Sequence, residues 1–276
     1  MKVCLDAMME KAMIKINKKR VEFKKFPNKE VYVDLKTFPW PEGDRIYLSF
    51  SYEDDSSLIE LMFVKKILDN AGVDECSIFI DYMPYSRMDR YNRDFPFLLK
   101  YVCEFINSLG FSRVTVREPH SDVTPALLDK VMIYEWAELH CEDVMKEMGF
   151  NKDNDVLFYP DAGAQKRYSF SGYRFSVGNK TRDFRTGEIT GYEVNKYLRG
   201  GGYSFDNCNV LIVDDLCSRG GTFIAAAKEL KNHTSGKIYL MVAHCEENVF
   251  TGDIFDHIEC IYTASDLKHK QIKVMR

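Results

Sequence analysis

The chain has 276 residues, enough for one large domain or two modest ones, each with its own core. Hydrophobic residues make up 45% and charged residues 29%, as in an ordinary globular protein. The formal net charge of -4 gives no reason to expect a nucleic-acid or anionic-membrane partner. No apolar run approaches the roughly 20 residues of a membrane span, and the Lys-studded N-terminus lacks a signal-peptide pattern. The eight cysteines form no C-x-x-C pair. Free thiols in a reducing cytoplasm are expected, with neither a disulfide frame nor a zinc site.

In chain order, short β-branched or aromatic runs alternate with helical stretches. RIYLSFSY at 45–52 predicts a strand, and SSLIELMFVKKILDNAG at 56–72 a helix closed by Gly72. CSIFIDYM at 76–83 predicts the next strand, PFLLKYVCEFINSLG at 96–110 the next helix, and SRVTVREPH at 112–120 a third strand. A helix over 124–148 follows, and after Gly149 the cycle restarts. DVLFYP at 155–160 predicts a strand, 171–194 a hairpin or long loop, and NVLIVDDL at 209–216 a strand breaking into a Gly-rich turn. TFIAAAKELKN at 222–232 is the helix after it, and GKIYLMVAH at 236–244 another strand. Alternation of this kind predicts α/β architecture, with mainly parallel sheets flanked by helices. Two domains are expected, 1–148 and 149–276.

VLIVDDLCSRGGTF at 210–223 carries the most chemistry. An apolar strand delivers Asp214 and Asp215 at its carboxyl edge, and Ser218, Arg219, Gly220 and Gly221 turn into a helix starting near Thr222. A helix N-terminus offers unpaired N–H groups to phosphate, and glycines let the backbone approach it. Ionised aspartates accept hydrogen bonds from a ribose diol. The segment resembles the phosphoribosyl-pyrophosphate-binding motif of the type I phosphoribosyltransferase fold.

Other segments, in the same order along the chain, resemble the ribose-phosphate pyrophosphokinase (PRPP synthetase) family. DDSSLIELMFVKKIL at 54–68 is similar to the helix after its first strands. MPYSRMDR at 83–90 resembles its ATP-contacting P-Y-A-R-Q-D-R element, which implies ATP contacts for Arg87, Asp89 and Arg90. VTVREPHSD at 114–122 is similar to the element bearing its metal- and ATP-contacting histidine, here His120. FYPDAGAQKR at 158–167 resembles its P-D-A-G-G-x-K-R element, whose aspartate helps hold magnesium; that falls on Asp161. NKTRDF at 179–184 resembles its K-x-R loop, which implies catalytic roles for Lys180 and Arg182 alongside His120. Alone, each of these reads as a turn or a solvated surface; together, in one order from about residue 37 onward, they are specific.

The resemblance implies two phosphoribosyltransferase-like halves with the active site in a cleft between them. It implies an enzyme that uses Mg²⁺ to move the β,γ-diphosphoryl group of ATP onto the anomeric 1-hydroxyl of a 5-phosphorylated ribose, releasing AMP. The expected partners are small-molecule substrates and copies of the same chain, in a homo-oligomer built on a dimer. Such a transfer needs positioning and charge neutralisation, which arginine forks and a lysine supply.

The chain departs from the family at several points. The phosphate loop reads DDLCSRGGT where the family has D-D-x-x-D-T-G-G-T, with Ser218 for an acidic residue and Arg219 for threonine. One negative charge fewer and one cation more either give an extra contact to an ordinary 5-phosphate or suit a larger anionic group. ADP-ribose is such an acceptor, and some phage relatives are ADP-ribose pyrophosphate synthetases acting in NAD⁺ rebuilding. Met88 replaces glutamine. TFPWPEGD replaces R-F-x-D-G-E, keeping Phe38 and Glu42 as ATP contacts with Trp40 for the aspartate. A phosphoribosyltransferase would need only the DD–GGT segment. A non-catalytic associated subunit would have no use for His120, Asp161, Lys180 and Arg182 together.

Overall fold

The computed structural model describes residues 13–43, 45–168, 170–182, 189–195 and 205–276, with only the backbone at 182, 189 and 190. It divides into two compact units, Met1–Tyr134 and Glu135–Arg276. The division falls before the helix that precedes Gly149, whereas the expected boundary at 148/149 lies after it.

The first unit opens with β1 (Ile14–Ile16) and β2 (Lys19–Arg20), a hairpin whose turn residues Asn17 and Lys18 both have positive φ. That is the two-residue turn whose twist matches its strands. β3 (Phe23–Lys25) and β4 (Val31–Val33) form a separate antiparallel pair. β5 (Arg45–Phe50), α1 (Ser56–Asn70), β6 (Glu75–Ile80), α2 (Leu98–Ser108) and β7 (Arg113–Arg117) follow the expected alternation. α1 turns Leu61, Val64 and Leu68 into the core, each fully buried; burial of such a side chain contributes about 2 kcal/mol. Gly72 and Gly110, both with positive φ, close the two helices as the sequence indicates.

The expected helix over 124–148 is instead three elements: α3 (Val123–Leu127), β8 (Val131–Tyr134) and α4 (Trp136–Met148). Leu128 is extended and Lys130 has a φ of 50°, which breaks the helix. VMIY is rich in β-branched and aromatic residues and pairs with β7 through Val114↔Val131 and Val116↔Ile133. The sheet order is β2-β1-β5-β6-β7-β8, parallel from β5 to β8.

The second unit contains α4, β9 (Val156–Tyr159), α5 (Ala162–Arg167), β10 (Phe175–Arg182), β11 (Ile189–Val194), β12 (Val210–Cys217), α6 (Gly221–Leu230) and β13 (Ile238–Cys245). A 3₁₀ turn (Glu247–Thr251), α7 (Ile254–His257), β14 (Cys260–Thr263) and β15 (Ile272–Val274) complete it. The order β11-β10-β9-β12-β13-β14-β15 is parallel apart from the β10–β11 hairpin. β9 and β13 are buried at every position, as strands covered on both faces must be. Both sheets are therefore mainly parallel and flanked by helices, as expected. Among the described residues no helix is long and apolar enough to cross a membrane.

Candidate active site

In the second unit the chemistry gathers at the carboxyl ends of β9 and β12, where parallel sheets hold ligands. Asp161 follows β9 as the cap of α5: its Oδ1 accepts from the Ala164 N–H at 3.0 Å, and its Oδ2 from Lys180 Nζ at 2.5 Å. Burial pushes this carboxyl up. The Lys180 ammonium and the Ala164 and Gly163 N–H groups more than reverse that, leaving it below the usual aspartate range. Lys180 lies on β10 directly across from Tyr192 on β11. The Tyr192 hydroxyl donates to the Pro160 carbonyl at 2.9 Å. Burial raises its pKa first, and the charges of Asp161 and Asp214 add to the rise. A side chain at Gly178 would collide with the Tyr192 ring, so glycine there admits the tyrosine.

β12 ends in the two adjacent carboxylates. Asp215 is 5% exposed, and its Oδ1 lies 3.0 Å from Arg167 NH1. Its backbone N–H donates to Asp214 Oδ1 at 2.9 Å. Burial and the adjacent Asp215 charge push Asp214 well above the usual carboxylate range. The strand then turns through half-buried Ser218 and exposed Arg219 to Gly220, the cap of α6, at φ +79°. A Cβ at Gly220 would come within 2.5 Å of Ile254 Cδ1, whereas Gly221 faces open space. Its backbone can thus meet an anion directly, with Thr222 half-buried beside it.

In the first unit, Asp89 is 5% exposed and clasped by Arg90 through Nε–Oδ1 at 2.8 Å and NH2–Oδ2 at 3.3 Å. Burial acts to raise its carboxyl, but bonds from Arg90 and Ser121 and the charges of Arg90 and His120 lower it on balance. The MPYSRMDR and REPHSD segments, far apart in sequence, therefore meet at Asp89. Arg87 is exposed and His120 half-buried. Tyr85, at φ 60°, bonds Asp55 at 2.7 Å, as does Tyr52, which anchors this turn to the start of α1. Phe38 is 5% exposed and packs in the core edge-on to Trp40, with ring centroids 4.8 Å apart. Trp40, by contrast, is 43% exposed. Glu42 is exposed.

The structure brings Asp161, Lys180, Asp214 and Asp215 together, and separately Asp89, Arg90 and His120. Arg182 ends β10, and its side chain lies outside the described residues. The expected metal ligands His120 and Asp161 fall in different units, and among the described residues no three acidic, histidine or cysteine side chains converge on a metal position. Sequence reasoning missed Arg167 and Tyr192. Arg167 was visible as the last residue of PDAGAQKR, whereas Tyr192 belongs to no motif and is placed only by strand pairing.

No family model matches the chain. A ribose-phosphate pyrophosphokinase of Sulfolobus acidocaldarius is 27% identical over 263 residues, covering 92% of this chain and 87% of its own. One from Pyrococcus furiosus is 28% identical over 235 residues, covering 81% and 77%. The crystal structure of phosphoribosylpyrophosphate synthetase from Mycobacterium smegmatis superposes with a TM-score of 0.71 at 18% identity, over 92% of this chain and 85% of that one. The fold is thus the type I phosphoribosyltransferase-like fold of that synthetase, and the likeness in sequence, over most of the chain, is to the ribose-phosphate pyrophosphokinase family.

Proposed function

We propose that the chain is a ribose-phosphate pyrophosphokinase. In the proposed reaction the anomeric hydroxyl of a 5-phosphorylated ribose attacks the β-phosphorus of ATP and AMP leaves. The observation that carries the reading is the arrangement around α5: Asp161 paired with Lys180 at one end and Arg167 with Asp215 at the other. The glycine turn into α6 continues the strand that carries Asp215. The likeness to the curated pyrophosphokinases supports the same conclusion.

In this reading Asp214 and Asp215 accept the ribose hydroxyls. The N–H groups at Gly220, Gly221 and Thr222, with Ser218, hold the 5-phosphate. Arg87, Arg90 and His120 bind the ATP polyphosphate, with Asp89 orienting Arg90. Phe38, buried, would shape the adenine contact through Trp40, and Glu42 is exposed to meet the nucleotide. Lys180 leaves Asp161 to stabilise charge on the transferring group, together with Arg182. Asp161 fits a role in holding Mg²⁺, since the ion takes few protein ligands and each Asp161 oxygen has a second lone pair beyond its present bond; the resemblance would give His120 the same role. When bound, the ion would neutralise and orient adjacent phosphates. A cytoplasmic homo-oligomer built on a dimer belongs to the same reading, and sedimentation tests it.

A second acceptor is favoured by one observation. Arg219 is exposed in the phosphate loop, where a cation suits the diphosphate of ADP-ribose better than a single phosphate. The experiment is a Mg²⁺/ATP reaction with each acceptor, following AMP and product mass. AMP with ribose 5-phosphate alone supports a PRPP synthetase, and AMP with ADP-ribose alone ties Arg219 to a diphosphate. ATP bound without AMP from either acceptor sinks the catalytic reading in favour of a non-catalytic subunit. Product made from a base and PRPP would instead mark a phosphoribosyltransferase.

A further inference from the structure

α5 is only six residues long, yet each end carries a charge pair to a different strand. Its cap, Asp161, meets Lys180 on β10; its last residue, Arg167, meets Asp215 on β12 at 3.0 Å. The second pair is the more enclosed, with the side chains 25% and 7% exposed. The Arg167 guanidinium also lies over the Tyr168 ring, 5.6 Å from its centroid. Burial alone would weaken its charge; the Asp215 carboxylate, followed by Tyr168 and Asp214, strengthens it on balance.

A carboxylate that must accept two sugar hydroxyls needs a fixed plane as well as a charge. The Arg167 guanidinium sets its charge against Asp215 Oδ1 from a rigid planar head, which a lysine ammonium on a flexible stem does less well. The second carboxylate is fixed separately, by the Asp215 backbone N–H donating to Asp214 Oδ1.

We propose that Arg167 is a positioning residue that holds Asp215 in the orientation in which it receives the acceptor ribose. The proposal rests on the functional reading above. In this role Arg167 touches Asp215 and not the substrate, and its removal takes a half-buried cation away from the Asp215 carboxylate. A shift of about 1 Å in such a group is enough to weaken a reaction about 100-fold.

The test uses the full chain and compares wild type, Arg167→Met, Arg167→Lys, Asp215→Asn and the Arg167→Met/Asp215→Asn double variant. Steady-state kinetics are run with both acceptors, and ribose 5-phosphate is titrated calorimetrically without ATP. Arg167→Met is expected to raise the acceptor KM and Kd by about tenfold or more, leaving the KM for ATP unchanged. Arg167→Lys should recover part of the loss, and the double variant should be no worse than Asp215→Asn alone. Equal shifts in both KM values, no recovery with lysine, or a lowered Tm with unchanged KM would overturn the proposal. Arg167→Gln answers the same question if the methionine variant does not fold. A wild-type chain that neither binds nor converts either acceptor overturns the functional reading itself, and the proposal with it, before any variant is made.

Discussion

Burial by itself would hold the Asp161 carboxyl above the ordinary aspartate value of about 3.9, yet its partners set it below. A depressed native pKa contributes stability that is fully present above the unfolded value. That contribution is lost as pH falls through the native one. Lys180→Ala removes the largest of the lowering causes. Its stability deficit in urea melts should therefore be greatest at neutral pH and vanish on acidification; a deficit independent of pH would show that the pair is electrostatically silent. The same variant should lose about 100-fold or more in turnover while still binding ATP. Turnover within a few-fold of wild type would remove Lys180 from the chemistry. Asp214 and Asp215 stood out because an apolar strand ends in them before a glycine turn, whereas Asp161 and Lys180 were singled out only by the family resemblance; the structure sets those two side by side. Tyr192 was not legible, because strand register and a side-chain-free Gly178 bring it there. Phe38, an aromatic in a motif position, packs in the core, since burial stabilises a phenylalanine whatever motif surrounds it.

Element boundaries were legible where a backbone punctuator marked them. Gly72, Gly110 and Gly149 all close helices at positive φ. The stretch 124–148 was misread because apolar residues on both flanks keep a helical spacing across a break made by Leu128, Lys130 and a strand-prone VMIY. Pairing with β7 decides that case, and periodicity along one segment carries no information about a neighbouring strand. The turn into α6 depends on a punctuator of the same kind. Gly220 sits at φ +79° with Ile254 Cδ1 2.5 Å from where a Cβ would stand. Gly220→Ala therefore meets both backbone strain and a clash, and should destabilise the chain by about 1–2 kcal/mol. It should also raise the acceptor KM by displacing the loop. Adding Ile254→Val removes Cδ1 and should recover part of the loss, the backbone strain remaining. A double variant no better than Gly220→Ala would mean that φ alone sets the requirement. Thermal melts and acceptor KM, measured together, separate the two contributions.

Across the whole molecule, strand–helix alternation announced parallel sheets flanked by helices, and β9, β12 and β13 pair as such. The N-terminal pairs β1–β2 and β3–β4 were not announced, because strands of two or three residues interleaved with lysines carry neither period nor apolar length. The proposed reaction draws its ATP contacts from one unit and its acceptor contacts from the other: Arg87, Arg90 and His120 precede residue 134, and Asp214 through Thr222 follow it. Binding of the two substrates should then be separable by substitution. Arg87→Ala and Arg90→Ala should each raise the KM for ATP by about tenfold, the loss of a charge-assisted contact, and leave the acceptor KM unchanged. Asp214→Asn should do the reverse. Arg90→Ala should lower the Tm as well, since it removes the clasp that offsets the burial of the Asp89 carboxylate. If either arginine variant moves both KM values equally, the assignment of ATP to the MPYSRMDR element fails. If Arg90→Ala leaves the Tm unchanged, the clasp on Asp89 adds nothing to stability and the arginine serves the nucleotide alone.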